Sequence, residues 1–235
     1  MNVKTFWLGH IPIMALVALI ALFAGLLGNR TVTTISENAI QKGRHCIVID
    51  AGHGGEDGGA TSCTGILESA FNLEISLRLD SLFHLMGYST QMVRNSDTAI
   101  HTQGETIAAR KASDLKARVR LANETENSLL ISIHQNYFTE SQYSGAQVFY
   151  PKTEGSQVLA NALQNAFREM LNPGSNRREK PTSGVYLMEH ITCPGVLIEC
   201  GFLSNPDEEA CLRSSEYQKK ICCVIAATVS SYFAS

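Results

Sequence analysis

The stretch HCIVIDAGHGGEDGGA, residues 45–60, decides the fold, because it joins a buried strand to a loop with reactive side chains. Its apolar run CIVID is followed at once by turn residues, which is typical of a strand buried on both faces. The loop after the run has five glycines around one histidine and two acids. Such a loop could bind phosphate, form a flexible turn or supply part of a metal site.

Beyond this strand, the hydrophobic pattern alternates between strands and helices. Strands are predicted over 46–50, 88–94, 129–134, 145–150, 185–188 and 195–200, and helices over 68–87, 107–126, 156–171 and 216–233. Strands separated by helices indicate parallel pairing. We therefore predict an α/β fold: a three-layer sandwich with a mostly parallel central sheet of about six strands and helices on both faces.

The first thirty residues differ in composition from the rest of the chain. Between Thr5 and Asn29 there is no Asp, Glu, Lys or Arg, and residues 11–27 are almost purely aliphatic. About 20 apolar residues suffice for a helix to cross a membrane, and Lys4 before them favours export of the chain on their far side. Residues 1–30 are predicted to be either a membrane anchor, inserted over 6–28, or a cleaved signal segment.

The remaining chain divides into a short linker and one domain. Residues 31–44 are polar and patternless and are predicted to be the linker, and residues 45–235 form a single domain. The net charge of −3 predicts no nucleic-acid partner, since that surface needs clustered Lys and Arg. The seven cysteines contain no C-x-x-C pair, which excludes zinc-finger spacings. Several lie in apolar runs and are predicted to be buried free thiols, with one disulfide left open.

Three of the predicted strands lead into a chemically capable side chain. CIVID leads into His53, LLISI into His134 and GVLI into Glu199. In an open parallel sheet, ligands bind at the carboxyl ends of the strands. We therefore expect these three residues to converge on one edge of the sheet.

The spacing of the loop disfavours phosphate binding. A P-loop ends in Gly-Lys-Ser/Thr, which is missing here, and a dinucleotide fingerprint that starts at Gly52 needs glycine where Asp57 stands. Glycines also let the backbone approach another group closely. A histidine held among them indicates a metal site.

A catalytic zinc ion takes three protein ligands, often two histidines and one carboxylate. His53 and His134 supply the imidazoles, and Glu68, at the predicted start of the first helix, fits as the third ligand of one Zn2+ ion. Glu199 can then act as a separate base. The candidate carboxylates are Asp50, Glu56, Asp57, Glu68 and Glu199.

Other polar residues have simpler interpretations. Asp57 is predicted to cap the loop backbone, and Glu74 to be a solvated helix residue. Arg94 and Arg118 could contact an anionic substrate or form structural ion pairs. No ligand role is predicted for three further histidines, which are His84, His101 and His190.

Four segments together resemble a known family. IDAGHGGEDGGA, Glu68, SIHQN (132–136) and LIECGFLSNP (197–206) look, in this order, like the signature blocks of the zinc-dependent N-acetylmuramoyl-L-alanine amidases of the third amidase type. Residues 110–123 and 183–206 are similar to the germination-specific spore-cortex amidases within that family, which prepare muramic-δ-lactam.

The resemblance assigns roles to individual residues. It implies that His53, Glu68 and His134 bind zinc, that Glu199 is the catalytic base, and that 45–235 is the catalytic domain. Two positions depart from the family pattern: Ala51 stands where proline is usual, and Cys200 comes directly after the base.

The resemblance also implies a biological role. It predicts hydrolysis of the amide between the lactyl group of N-acetylmuramic acid and L-alanine in the peptidoglycan of the spore cortex. It further predicts a deacetylase acting next, an accessory protein at the membrane and an exported location in the forespore envelope. Alternatives are a vegetative cell-wall amidase, another zinc peptidase or deacetylase, and a wall-binding protein without turnover.

Overall fold

The structure is a computed structural model that describes residues 45–234. The six strands are β1 (Cys46–Ala51), β2 (Ser89–Met92), β3 (Ser128–Asn136), β4 (Gln147–Tyr150), β5 (Lys180–Pro181) and β6 (Gly195–Phe202). The six helices in this part of the chain are α1 (Glu68–Leu85), α2 (Ile107–Glu124), α3 (Ser156–Met170), α4 (Tyr186–His190), α5 (Pro206–Arg213) and α6 (Ser215–Ala234). The predictions of an anchor or signal over 1–30 and a linker over 31–44 concern residues outside this range.

The strands form one sheet in the order β2-β1-β3-β6-β4-β5. All neighbours are parallel except β4 and β6, which are antiparallel. The central strands β1, β3 and β6 are long apolar runs because both of their faces are covered. Their parallel register brings their carboxyl ends to the same edge, where Ala51 pairs with Ile133 and His134 pairs with Glu199.

Apolar side chains cover both faces of the sheet. On one face, Ile47, Ile131 and Ile198 pack in a cluster with residues of α1, α3 and α6. On the other face, Val48 and Leu197 pack in a smaller cluster with residues of α2 and α4. The predicted three-layer α/β sandwich with a mostly parallel sheet is thereby confirmed.

The prediction of a strand at 185–188 is wrong. Residues Tyr186–His190 form the short helix α4, and the sixth strand is instead the two-residue β5. A short apolar run cannot by itself distinguish a strand from a buried helical turn. Here Leu187 and Met188 are buried in the smaller apolar cluster, and the Glu189 carboxylate accepts a hydrogen bond from the Gly184 N–H at 2.6 Å.

The cysteines only partly agree with their prediction. All seven are free thiols, and Cys200 and Cys222 are buried in the larger apolar cluster. Burial is the wrong prediction for Cys223, which lies in an apolar run but is exposed; Cys63 and Cys211 are exposed too. Within residues 45–234, no helix combines the length and the apolar character needed to cross a membrane.

Candidate metal centre

The glycine loop presents one histidine and caps the next helix. His53 lies two residues beyond β1 and has a φ of +61°, in the left-handed region that non-glycine residues seldom adopt. The Ala60 and Gly58 carbonyls accept hydrogen bonds from the first two N–H groups of α1, at Glu68 (2.8 Å) and Ser69 (3.0 Å). The loop thus places Glu68 at the helix start, where the helix dipole favours a carboxylate.

His53, Glu68 and His134 form a compact donor group. The Glu68 carboxylate lies 3.3 Å from His53 Nε2 through one oxygen and 3.0 Å from His134 Nδ1 through the other. All three ligand atoms lie within 4.8 Å of one another. Tetrahedral zinc with bonds of about 2.0–2.1 Å separates its ligand atoms by about 3.3 Å. The donor set and its spacing therefore fit one zinc ion after small adjustments.

Two glycines make this approach possible. A Cβ on Gly52 would overlap the His134 ring. A Cβ on Gly59, whose φ is +70°, would lie 2.6 Å from Glu68 Oε2 and 2.7 Å from the His53 ring. The close approach of backbone to ligand that the sequence indicated is therefore present.

Glu68 is held from several sides. Burial alone would raise the pKa of its carboxyl, but hydrogen bonds from His134 and His53 outweigh burial and hold the pKa far below its usual range. Further hydrogen bonds reach the carboxylate from the Ala60 N–H at 3.0 Å and from the buried Asn72 amide at 3.3 Å. Asn72 also donates to the Gly52 carbonyl at 3.1 Å, so it ties α1 to the glycine loop.

Asp57 has a contact that the sequence did not predict. One carboxylate oxygen lies 3.0 Å from His53 Nδ1, on the side of the ring away from Glu68. A carboxylate at the second ring nitrogen orients a metal-binding histidine and makes it more basic. The predicted capping role is present too, through a 3.4 Å hydrogen bond from the Gly59 N–H. Lys111 lies 3.0 Å from the same carboxylate oxygen that faces His53.

Glu199 lies beside the donor group but apart from it. It pairs in register with His134, and both side chains line a cavity of about 270 Å³ together with His53 and Leu187. Burial raises the pKa of Glu199 to about 7, and Glu68 also raises it, while His134 and His53 act in the opposite direction. Among the residues described, no hydrogen-bond partner reaches its buried Oε2 atom. Glu199 is therefore well suited to take up and release a proton.

Arg94 and Arg118 have structural roles. Arg118 lies 2.6 Å from Asp50 and from Asp114, and it donates to the Ala51 and His53 carbonyls. Arg94 donates hydrogen bonds to four backbone carbonyls, at Ala51, Gly52, Ser69 and Ser96. The two buried guanidinium groups fix the backbone around Ala51, where the family pattern has proline.

The other candidate acids and histidines lie outside the donor group. Asp50 is buried against Arg118 and Ser132, and Glu56 pairs with Arg110 at the surface. Glu74 is exposed, as predicted, but pairs with Arg78. His84 contacts Thr90, His190 stacks on Tyr186, and His101 lines a neighbouring cavity. Cys200 is buried, and burial raises the pKa of its thiol.

A His–Glu–His donor group with a separate, partly buried glutamate, at the carboxyl edge of an α/β sheet, is typical of metal-dependent hydrolases. The family model for N-acetylmuramoyl-L-alanine amidase matches residues 47–231. The chain belongs to this N-acetylmuramoyl-L-alanine amidase family.

Individual relatives support a narrower placement. The germination-specific N-acetylmuramoyl-L-alanine amidase of Bacillus subtilis (strain 168) is 40% identical over 189 residues, which cover 80% of this chain and 79% of the relative. Among solved structures, the CwlD amidase from Clostridioides difficile in complex with the GerS lipoprotein matches with a TM-score of 0.77 and 34% identity. That match covers 80% of this chain and 98% of the other. An N-acetylmuramoyl-L-alanine amidase from Clostridium difficile 630 matches with a TM-score of 0.71 and 29% identity, over 81% of this chain and 97% of that one.

Proposed function

We propose that this chain is a zinc-dependent amidase that cleaves the bond between the lactyl group of N-acetylmuramic acid and L-alanine in the peptidoglycan of the spore cortex. One observation carries the chemical part of the proposal. A preformed His–Glu–His donor group lies next to a partly buried glutamate, Glu199, which lines the same cavity and whose buried Oε2 atom has no hydrogen-bond partner among the described residues.

His53, Glu68 and His134 would hold the zinc ion. When bound there, zinc would act as a Lewis acid that makes a water more acidic and a carbonyl more electrophilic. The protein's own part is to hold the donors in place before the ion arrives. Glu68 is fixed by both histidines and by Asn72, and His53 by Asp57.

Glu199 is the proposed proton carrier. With a pKa of about 7 it can accept a proton from the attacking water and return that proton to the departing L-alanine amine. Its Oε2 atom is not engaged in a hydrogen bond to another described residue, so accepting the proton does not break an existing contact. One group then serves both transfers.

The spore-cortex role rests on the relatives. The B. subtilis relative is named germination-specific, and the C. difficile structure contains an amidase bound to a lipoprotein. By analogy, this chain is exported and works in the forespore envelope, attached through residues 6–28 or released after cleavage. An accessory protein at the membrane assists it, and a deacetylase acts next to give muramic-δ-lactam.

The catalytic proposal is tested by the Glu199→Gln variant. Glutamine keeps the size of the side chain but cannot take up a proton, so hydrolysis of purified stem-peptide fragments should fall by about 10²–10⁴-fold. Zinc content, measured by mass spectrometry of metals, should stay near one ion per chain. Unchanged turnover in this variant would refute the role of Glu199.

The ligand assignment and the biological role need separate measurements. The His53→Ala variant should lose zinc, and one retained ion per chain would contradict the assignment.

Muropeptide analysis of spores with and without this protein should show that muramic-δ-lactam depends on it. An unchanged cortex profile would return the chain to the general cell-wall amidases.

A further inference from the structure

A second concave surface lies outside the catalytic cavity. It is a groove of about 960 Å³ between the residues that precede β4 and the loop that leads into β5. Its lining contains Arg177, Arg178 and Lys180 but no Asp or Glu. The "basic groove", as we call this surface, therefore carries three positive charges and no negative side chain of its own.

Arg177 is held in a fixed orientation. Its Nε atom donates to the Ser144 carbonyl at 2.9 Å, and its guanidinium lies 4.8 Å from the centre of the Phe202 ring. Tyr143 stacks on the same Phe202 ring, with the two ring centres 6.3 Å apart. A guanidinium fixed in this way loses little conformational freedom when it binds an anion.

The loop that carries the three cations is tied to the sheet. The Ala146 N–H donates to the Asn172 side chain at 3.1 Å, and the Thr182 N–H donates to the Tyr150 carbonyl at 2.9 Å. Arg178 and Lys180 are exposed, and neither forms an ion pair with any residue in the described range 45–234. The basic groove is therefore preformed, and two of its charges form no ion pair within that range.

The basic groove adjoins the catalytic cavity across one strand pair. Gln147, which lines the groove, pairs in register with Glu199, which lines the cavity. A polymer that lies across the β4–β6 strand pair at this point would occupy both the basic groove and the catalytic cavity. A small fragment in the cavity would reach only one of them.

We propose that the basic groove is a second subsite, which binds carboxylates of a stem peptide other than the one being cleaved. This inference rests on the proposed function, because peptidoglycan carries many stem peptides along each strand. Peptide carboxylates are the anions that such a polymer presents repeatedly, and a guanidinium binds them through paired hydrogen bonds. The subsite gives the enzyme a preference for polymer over isolated fragments.

The test compares polymer with fragment in charge-reversal variants of the full chain. Arg178→Glu with Lys180→Glu reverses two exposed charges and spares Arg177, which packs on Phe202. The matched control, Lys116→Glu with Arg120→Glu, reverses two exposed cations on α2 that form no ion pair with the described residues. The readouts are co-sedimentation with insoluble peptidoglycan and the ratio of kcat/KM on polymer to kcat/KM on a monomeric muramyl-peptide.

The groove variant should bind the polymer about tenfold more weakly and show a ratio lowered by about tenfold, as expected for two lost surface charge contacts. The control should match the wild type. Peptidoglycan with amidated carboxylates, compared with an equally amidated fragment, should reduce the wild-type ratio to that of the groove variant. An unchanged ratio and unchanged binding in the groove variant would overturn the proposal.

Other outcomes are equally informative. If amidation leaves wild-type binding intact while the groove variant binds weakly, the groove recognises a different anion, such as a phosphate polymer or an acidic protein, and the carboxylate subsite is refuted. If the chain binds polymer through these cations yet cleaves neither substrate, the groove is supported and the proposed function fails. The two proposals can therefore fail independently.

Discussion

At the scale of single residues, the centre depends on side chains outside the His53–Glu68–His134 donor group. Asp57 lies on the outer side of His53, and Asn72 lies behind Glu68. Burial would lower the pKa of His53, but Glu68 and Asp57 together outweigh burial and raise it. The same contacts that orient the histidine therefore make it a stronger base and a better metal ligand.

Replacing Asp57 with alanine should weaken zinc binding by about 10–100-fold, because His53 loses the carboxylate that orients its ring. The affinity can be measured by competition with a chromophoric chelator, with circular dichroism to verify folding. Glu56→Ala is the matched control, since Glu56 belongs to the same loop but pairs with Arg110 at the surface. Equal zinc affinities of the two variants would contradict a positioning role for Asp57.

The rate should depend on pH through Glu199. A general base works only when deprotonated, and burial raises the pKa of Glu199 to about 7. A bound cation favours the charged carboxylate and lowers this value. We therefore expect kcat/KM to fall as the pH decreases, with a midpoint at or below about 7.

This profile should be recorded between about pH 5 and 9, with zinc occupancy checked at each point so that metal loss is not mistaken for protonation of the base. The residual rate of Glu199→Gln should lack this acidic limb. A wild-type rate that stays flat down to about pH 5 at full occupancy would argue against Glu199 as the base.

At the scale of elements, the glycine loop is fixed by Arg94, which lies two residues beyond β2, and by Arg118 from α2. Arg118, from α2, reaches Asp50 in β1 and the carbonyls of Ala51 and His53. Burial raises the pKa of Asp50, but the charge of Arg118 and a hydrogen bond from Ser132 outweigh burial and lower it. The ion pair between Arg118 and Asp50 thus anchors Arg118 to the sheet, and Arg118 in turn holds the backbone of the predicted ligand His53.

Replacing Arg118 with alanine should lower the free energy of unfolding by about 3–5 kcal/mol, because it leaves the Asp50 carboxylate buried without its partner. Urea denaturation monitored by circular dichroism measures this change. Arg120→Ala, two residues further along α2 and exposed, should change stability by less than about 0.5 kcal/mol. Similar losses of unfolding free energy in both variants would show that the buried ion pair does not contribute more to stability than an exposed arginine does.

The elements also show how far the sequence predicts this fold. Long apolar runs identify β1, β3 and β6, and the rule that parallel strands end at one edge brings His53, His134 and Glu199 together correctly. The run at 185–188 is wrongly predicted because its four residues fit a strand and a helical turn equally.

Helix α5 could have been predicted from the sequence, whereas the contact between Asp57 and His53 could not. Helix α5 is absent from the sequence prediction, although Asn205 caps it through the Asp207 and Glu208 N–H groups and Pro206 occupies its start, a readable signal. The contact of Asp57 with His53 has no such signal, because it depends on the left-handed backbone at His53.

At the scale of the whole molecule, the candidate metal centre joins three separate parts of the chain. Its donors come from the loop after β1, the start of α1 and strand β3. A ligand that binds only the folded state stabilises it in proportion to the logarithm of its concentration over Kd. The donors are already held by hydrogen bonds to one another and to Asn72, so the fold should not require the ion.

Removing zinc with a chelator should therefore lower the Tm but leave a cooperative folded domain. The Tm increase on adding zinc should be larger at about pH 8 than at about pH 6. The pKa of His53 is raised in the folded protein. Proton binding at this site thus stabilises the metal-free fold at low pH, and this stabilisation disappears as the pH rises through the folded-state pKa. Zinc competes with that proton, so zinc binding stabilises the fold most at high pH.

Differential scanning calorimetry measures both shifts in Tm, and the His134→Ala variant should lose the zinc-dependent increase. Unfolding upon chelation would show that the ion, rather than the hydrogen bonds around Glu68, holds these three parts of the chain together.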